Sequence, residues 1–326
     1  MPTDLTLALE ATLGEHPVEA LRRATSRLIE VYRSGAPPTR QALSDPVAAA
    51  AYAAYRMPAT HAAVRQALRQ VVTPLADLEV SSLLDIGGGT GAAAWAVAEA
   101  LPGLESITVL DGSRDALDLG RRIAVHGPRA LASSTWKHAL ITSDPVLPQA
   151  DLVTVSYILG ELPSTLHAPL LDAVTASSRL ALVIEPGTPR GYAAVLAARA
   201  RLTGAGWSVL APCPHSGPCP LVGADWCHFP ARLERSSLHR RLKDGALGHE
   251  DEKFSFVLAA RDPAPTAHGR VLRHPVTRKG LVQLTVCRPD GTSGTEIVSK
   301  RARSTYRHAR GVGWGEEWPI APEAVR

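Results

Sequence analysis

The chain has four cysteines; Cys213, Cys219 and Cys227 fall within fifteen residues of one another, and Cys287 lies far downstream. Four thiolates are what an iron–sulfur cluster or a structural zinc ion requires. The gaps of five, seven and fifty-nine residues fit none of the tight Cys-x2-4-Cys knuckles of zinc fingers. A 4Fe-4S cluster accepts several ligands from a loop and one from a distance. His215 and His228 stand beside the cysteines and keep a Cys3His zinc site open as an alternative. Plain buried thiols are a third reading, because free cysteine is among the most buried residue types. The surrounding text, Ala211-Pro-Cys-Pro-His-Ser-Gly-Pro-Cys-Pro220, is too rich in proline for a helix or a central strand. It reads as a stiff loop that presents side chains, with Trp226 available to shield a cluster from water.

A second group of residues points to a cofactor. Leu83-Leu-Asp-Ile-Gly-Gly-Gly-Thr-Gly91 is an apolar strand running into a glycine turn, and a helix is expected from Ala92. Glycine at 87, 88, 89 and 91 permits left-handed backbone and lets a ligand rest on the main chain, while the helix start adds free N–H donors. Asp111, which ends the next apolar run, stands where a carboxylate receives ribose hydroxyls. Asp85 precedes Gly87 by two residues and would repel a pyrophosphate, yet it suits a ligand carrying an ammonium and a sulfonium. The Asp-x-Gly-x-Gly-x-Gly pattern resembles motif I of the class I S-adenosylmethionine-dependent methyltransferases. S-adenosylmethionine is therefore preferred over NAD, with Asp85, Gly87, Gly88, Gly89, Gly91 and Asp111 as its candidate contacts. A turn that binds nothing stays open.

These residues need elements to hold them. Leu5–Leu13, Val18–Tyr32 and Pro46–Leu75 have helical spacing, with a breaker at residues 35–38. From Val80, apolar runs at Ser82–Ile86, Ser106–Leu110, Leu152–Ser156 and Leu180–Glu185 alternate with helical stretches such as Ala92–Ala100 and Asp115–His126. That alternation predicts a parallel sheet covered on both faces. Strands near Trp207–Leu210 and Phe254–Ala260 bracket the cysteine segment and make it a late insertion. After Asp262-Pro-Ala-Pro265, strands near Gly280–Cys287 and Glu296–Ser299 flank the turn at Pro289-Asp-Gly291. The expected fold is α/β: a helical region over 1–77, a Rossmann-like sheet domain over 78–262 with a cysteine loop at 211–230, and a small basic β-containing module over 263–326. At 45% hydrophobic and 20% charged, the 326 residues can build such a core without staples.

Charge is unevenly spread. From Pro263 onward there are eleven Lys/Arg and five Asp/Glu, a balance of +6 against +4 for the whole chain. Arg270, Arg273, Arg278, Lys279 and Arg288 precede Lys300, Arg301, Arg303, Arg307 and Arg310, with Tyr306 and Trp314 among them. Such a module suits RNA, through phosphate contacts and stacking on unpaired bases; a solvated face is the plain alternative. No apolar stretch approaches the roughly 18 residues that span a bilayer. The opening Met-Pro-Thr-Asp-Leu carries no basic region followed by an apolar run. A cytoplasmic monomer without membrane contact is expected, and there thiols stay reduced unless metallated. No catalytic base is assigned. Ser156-Tyr157-Ile158 stands where amine-methylating enzymes carry an Asn/Asp-Pro-Pro-aromatic loop, and Glu161 and Asp144 have ordinary solvated explanations.

Longer segments carry a more specific resemblance. Ala54-Tyr-Arg-Met-Pro-Ala-Thr60, Asp151-Leu-Val-Thr-Val-Ser-Tyr-Ile-Leu-Gly-Glu-Leu-Pro163, Leu182-Val-Ile-Glu-Pro-Gly-Thr-Pro-Arg-Gly191, Arg273-His-Pro-Val-Thr-Arg-Lys-Gly280 and Val286-Cys-Arg-Pro-Asp-Gly291 are similar to one family. It is the methyltransferase-like family of mitochondrial small-ribosomal-subunit proteins and their bacterial relatives, the Rsm-twenty-two family. The resemblance runs from about residue 50 onward. It implies S-adenosylmethionine binding, association with the small ribosomal subunit or its rRNA, and a 4Fe-4S cluster on Cys213, Cys219, Cys227 and Cys287. The absence of a transit-type leader suggests a bacterial member. The resulting expectation is an rRNA methyltransferase or a small-subunit assembly factor. The alternatives are a small-molecule methyltransferase with structural zinc and a NAD-linked redox enzyme.

Overall fold

A computed structural model of the protein describes residues 4–33, 45–71, 75–221, 223–243 and 248–319. The breaker expected at 35–38 lies outside these residues. Four helices come first: α1 (Asp4–Leu13), α2 (Val18–Arg33), α3 (Pro46–Tyr55) and α4 (Met57–Leu68). The Asp45 carboxylate caps α3 by accepting the Ala48 N–H at 2.9 Å, and Pro46 occupies a first-turn position where its missing N–H costs nothing. The single helix expected over Pro46–Leu75 is in fact two. Pro58 cannot donate to the preceding turn, so the Arg56 N–H closes α3 on the Tyr52 carbonyl at 2.7 Å and a new helix starts at Met57. Leu75–Leu78 forms a separate 3-10 turn.

The α/β region then alternates β1 (Ser82–Ile86), α5 (Ala92–Ala100), β2 (Ser106–Asp111), α6 (Arg114–Ala124), α7 (Arg129–Ala132), β3 (Thr135–His138), β4 (Ala150–Ser156), α8 (His167–Ser177), β5 (Ser178–Pro186) and α9 (Pro189–Gly204). It ends with β6 (Ser208–Ala211), β7 (Phe229–Glu234), α10 (Ser237–Lys243) and β8 (His249–Ala260). The sheet order is β3-β2-β1-β4-β5-β8-β6, with β7 paired to β8. β1 to β5 are parallel and β8 is antiparallel to β5, β6 and β7, so the sheet is not wholly parallel. This is a Rossmann-like, doubly wound arrangement with one reversed strand near its edge. Successive residues of the central strands face opposite layers. Leu152, Leu180, Leu182 and Ile184 join the core under α1–α5. Val153, Val155, Ala181 and Val183 join the core with α8 and α9.

After β8 come β9 (Arg270–Val271), β10 (Val276–Arg278), β11 (Leu281–Cys287), β12 (Ser293–Ser299) and α11 (Arg303–Gly311). β10, β11 and β12 form an antiparallel sheet, and β9 also pairs with β11. Their inward residues Val282, Leu284, Val286 and Val298 pack on Ala309, Val312 and Trp318 as a core of their own.

Candidate functional site

The glycine turn leaves the C-terminal end of β1, the central strand, at the edge where doubly wound sheets bind their ligands. Gly87, Gly89 and Gly91 have φ of +65°, +54° and +84°. A Cβ on Gly87 would meet Ile158 at 2.3 Å and one on Gly91 would meet Trp136 at 2.6 Å. A Cβ on Gly89 would meet nothing closer than the Asp111 carboxylate at 3.9 Å, although Gly89 itself is buried. The turn is thus tightly packed at both ends and has room for a small group in its middle. Gly87 and Gly88 are partly exposed, and a Cβ on Gly88 would meet Asp85 and Val109 at 2.6 Å.

Asp111 lies beside the middle of the turn. It accepts the Gly89 N–H at 2.9 Å and the Ser113 N–H at 2.7 Å. A carboxylate has about four acceptor sites, so capacity remains for a ribose diol. Burial raises its pKa, against the opposing pull of the Ser113 and Gly89 N–H groups.

Asp85 departs from expectation. Its side chain is 0% exposed, accepting the Thr154 hydroxyl at 2.6 Å and the Ala94 N–H at 3.2 Å. It ties β1 to β4 and to the first turn of α5, beneath the turn, and does not face a ligand cation. Burial pushes its carboxyl up to about 7, with Thr154 and Ala94 opposing.

Other groups at this edge carried no sequence signal strong enough to assign them. Glu185, at the end of β5, accepts the Leu159 N–H at 2.8 Å, and burial pushes it up to about 7. Glu161, at the rim, is also pushed up, by desolvation first and then by Asp111 and Glu185; its open side lets solvent screen both effects. Tyr157 has φ of +61°, a conformation rare outside glycine. Its hydroxyl donates to Glu252 at 3.2 Å, Arg56 reaches the same carboxylate at 3.1 Å, and the Arg56 guanidinium lies 5.5 Å from the Tyr157 ring centre. Arg56, Tyr157 and Glu252 therefore form an internally satisfied group just past the end of β4. Asp144 is exposed.

The four cysteines come together from two directions. Residues 212–228 loop between β6 and β7 and bring Cys213, Cys219 and Cys227; β11 brings Cys287, 5% exposed. The expected loop of 211–230 is shorter at both ends, because Ala211 closes β6 and Phe229 opens β7. All four thiols line one pocket with Pro212, Pro220, Leu221, Leu272 and Arg270. Among the described residues, no group of three or more His, Cys, Asp or Glu side chains is set to hold a metal ion. The thiols therefore border a common space without converging on a point. Burial raises the thiol pKa of Cys213 and Cys227 and pushes Cys287 up to about 12. The Tyr192 hydroxyl lies 3.2 Å from the Cys219 sulfur, and His215 Nε2 lies 3.5 Å from that of Cys287. His228 turns into a stack between Trp226 and Trp314.

Two arginines border this pocket. Arg270, 2% exposed, donates to the carbonyls of Pro212 at 2.9 Å, Gly315 at 3.0 Å and Gln70 at 2.8 Å. Arg199, 6% exposed on α9, donates to the carbonyls of His215 at 3.0 Å and Gly217 at 2.6 Å, beside Cys213. Arg270 is therefore not a surface cation available to RNA. Arg273 pairs with Asp225 and Arg288 with Glu296 at 3.0 Å. Tyr306 and Trp314 pack inward, on the module core and on His228 and His274. The exposed cations of the expected RNA surface are Arg278, Lys279, Lys300, Arg301, Arg303, Arg307 and Arg310. No helix among the described residues is long and apolar enough to cross a membrane.

Sheet order and glycine turn together define a protein of the Rossmann-like class I methyltransferase fold. The family described as mitochondrial small ribosomal subunit Rsm22 matches residues 46–319, and the chain belongs to it. The human mitochondrial ribosome assembly protein METTL17 is 27% identical in a 292-residue alignment that covers 82% of this chain and 62% of that protein. The chain thus spans less than two thirds of that relative's length. Among solved structures, the magnesium protoporphyrin IX methyltransferase of Synechocystis PCC 6803 with bound SAH is 13% identical, with a TM-score of 0.37 over 58% of this chain and 78% of its own. The precorrin-6y C5,15-methyltransferase of Geobacter metallireducens GS-15 is 15% identical, with a TM-score of 0.38 over 61% of this chain and 86% of its own.

Proposed function

We propose that the protein is a ribosome-associated, methyltransferase-like assembly factor that binds S-adenosylmethionine at the glycine turn and small-subunit rRNA through its basic C-terminal module. The observation that carries this reading is family membership across residues 46–319, a span that holds the turn, the cysteines and most of the basic module. The left-handed glycine turn at the end of β1, with Asp111 accepting the Gly89 N–H, supports the cofactor. Seven exposed cations after residue 277 support a polyanionic partner. The Arg56–Tyr157–Glu252 group favours an RNA clamp over a methyl-transferring enzyme, because its side chains, just past the end of β4, satisfy one another.

The four cysteine residues line one pocket, and in donor type they suit a 4Fe-4S cluster. Cys213, Cys219, Cys227 and Cys287 would hold it, and its contribution would be to join the loop to the C-terminal module. We place the protein in the cytoplasm.

Calorimetry with S-adenosylmethionine and co-sedimentation with small-subunit particles at moderate salt test the reading together. Binding in both is expected, along with no transfer of tritiated methyl groups to small-subunit rRNA. Failure to co-sediment would overturn the ribosomal assignment, and measurable transfer would replace the clamp by an enzyme. Anaerobic purification with iron, sulfide and zinc analysis decides the metal; stoichiometric zinc without sulfide rejects the cluster.

A further inference from the structure

The two arginines at the cysteine pocket present an electrostatic problem. A guanidinium does not lose its proton in a protein, and a buried charge without an opposite charge nearby is strongly destabilising. Arg270 donates to three neutral carbonyls, and Arg199 donates to two and also reaches the Cys213 thiol. Neither forms an ion pair among the described residues. The carboxylate with most influence on Arg270 is Glu317, which is engaged with His268 at 3.0 Å. Among the described residues, the pocket lining supplies no carboxylate to balance these two cations.

We propose that Arg199 and Arg270 are the counter-ions of an anionic thiolate centre on Cys213, Cys219, Cys227 and Cys287. This rests on the reading of those cysteines as metal ligands. Four thiolates around a dication leave a net charge of about −2, and two guanidinium groups match it; a four-cysteine cluster is likewise anionic. The same arginines position the ligands. Arg199 holds the carbonyls of His215 and Gly217, between the first and second cysteines. Arg270 draws together the start of the cysteine loop at Pro212, the chain after α4 at Gln70 and the C-terminal module at Gly315. Metal loading and the docking of these three segments thereby become one event.

A positioning role of this kind predicts a change of sign. In the full chain purified anaerobically, Arg270→Met is expected to reduce bound metal at least threefold and to lower Tm by roughly 5 °C. In a Cys213→Ser/Cys287→Ser background, which cannot assemble the anionic centre, the same Arg270→Met is expected to raise Tm, because it removes an unbalanced charge. Arg199→Met should behave alike. Arg270→Lys keeps the charge and loses the three-way carbonyl contact, so it should retain metal while losing stability. A fall in Tm of equal size in both backgrounds would overturn the counter-ion role and leave the metal reading standing. Absence of any metal in the unaltered protein would overturn both.

Discussion

The glycine turn and the cysteine pocket solve opposite problems. Around the turn the chain carries an excess of carboxylates, and the inner ones are satisfied from within. Asp85 is held by Thr154 and Ala94, Glu185 by Leu159, and Asp111 by Gly89 and Ser113. Strands and helix starts fix this arrangement, so the turn is complete before any ligand arrives. Around the cysteines the chain carries two buried arginines, Arg199 on α9 and Arg270 on β9, whose hydrogen bonds go mainly to loop carbonyls. On the proposed reading, that pocket is completed by an anionic centre. One site would then be preformed for a ligand that comes and goes, and the other a joint whose ligand belongs to the fold.

The sharpest way to break this contrast is to remove the metal. Chelation, or Cys287→Ser, is expected to increase amide hydrogen exchange at least tenfold across residues 212–228 and β11–β12, with β1, β4 and β5 still protected. Hydrogen exchange read by mass spectrometry follows each segment separately. Uniform exchange across the whole chain would mean that the pocket is no separate joint.

Two glycine substitutions sharpen the other half. Gly91→Ala places a side chain at φ +84° and 2.6 Å from Trp136, a combination that costs about 2–4 kcal/mol and is read by denaturant unfolding. Gly89→Ala meets nothing closer than 3.9 Å and costs only about 1 kcal/mol of left-handed backbone strain. It should nonetheless weaken S-adenosylmethionine binding in calorimetry, because its methyl group would stand 3.9 Å from the Asp111 carboxylate proposed to receive the ribose. A Gly89→Ala protein that binds normally would move the ligand elsewhere.

The two sites also differed in how far the sequence revealed them. The strand, turn and helix over 82–100 are legible because an apolar run, a glycine cluster and an alanine-rich stretch each obey a local rule. Four cysteines invite a common ligand by their number alone. What one dimension hides is which polar groups face inward. Arg270 sits in a run of cations and reads as a surface residue, yet it is buried through contacts with Gln70 and Pro212, 200 and 58 residues away. Asp85 likewise reads as a ligand contact because nothing local reveals Thr154, 69 residues on. Strand β7 escapes because Pro230 argues against a strand; it is tolerated there because β7 pairs on one side only, with β8. In β3 only Trp136 is buried, too little for a pattern.

The smallest effect concerns the inner carboxylates. Burial pushes the Asp85 carboxyl up to about 7 in the folded state, well above an ordinary aspartate, so the folded state holds a proton that the unfolded chain releases. Between about pH 4 and pH 7 this makes stability fall as pH rises, by at most about 1.4 kcal/mol per pH unit from one such group. The fall ends once the folded group has ionised. Glu185, also pushed up to about 7, contributes with the same sign. Asp151 acts oppositely: five donors from Ser81, Ser82 and Arg179 hold its carboxyl well below the usual range, so its contribution is lost only in stronger acid. Asp85→Asn resembles the protonated side chain at every pH. Urea unfolding from pH 5 to pH 8 should therefore show a slope reduced by about half relative to the unaltered protein, with little change in stability at pH 5. An unchanged slope would mean that Asp85 keeps its charge in the core, and that the turn rests on an ionised carboxylate.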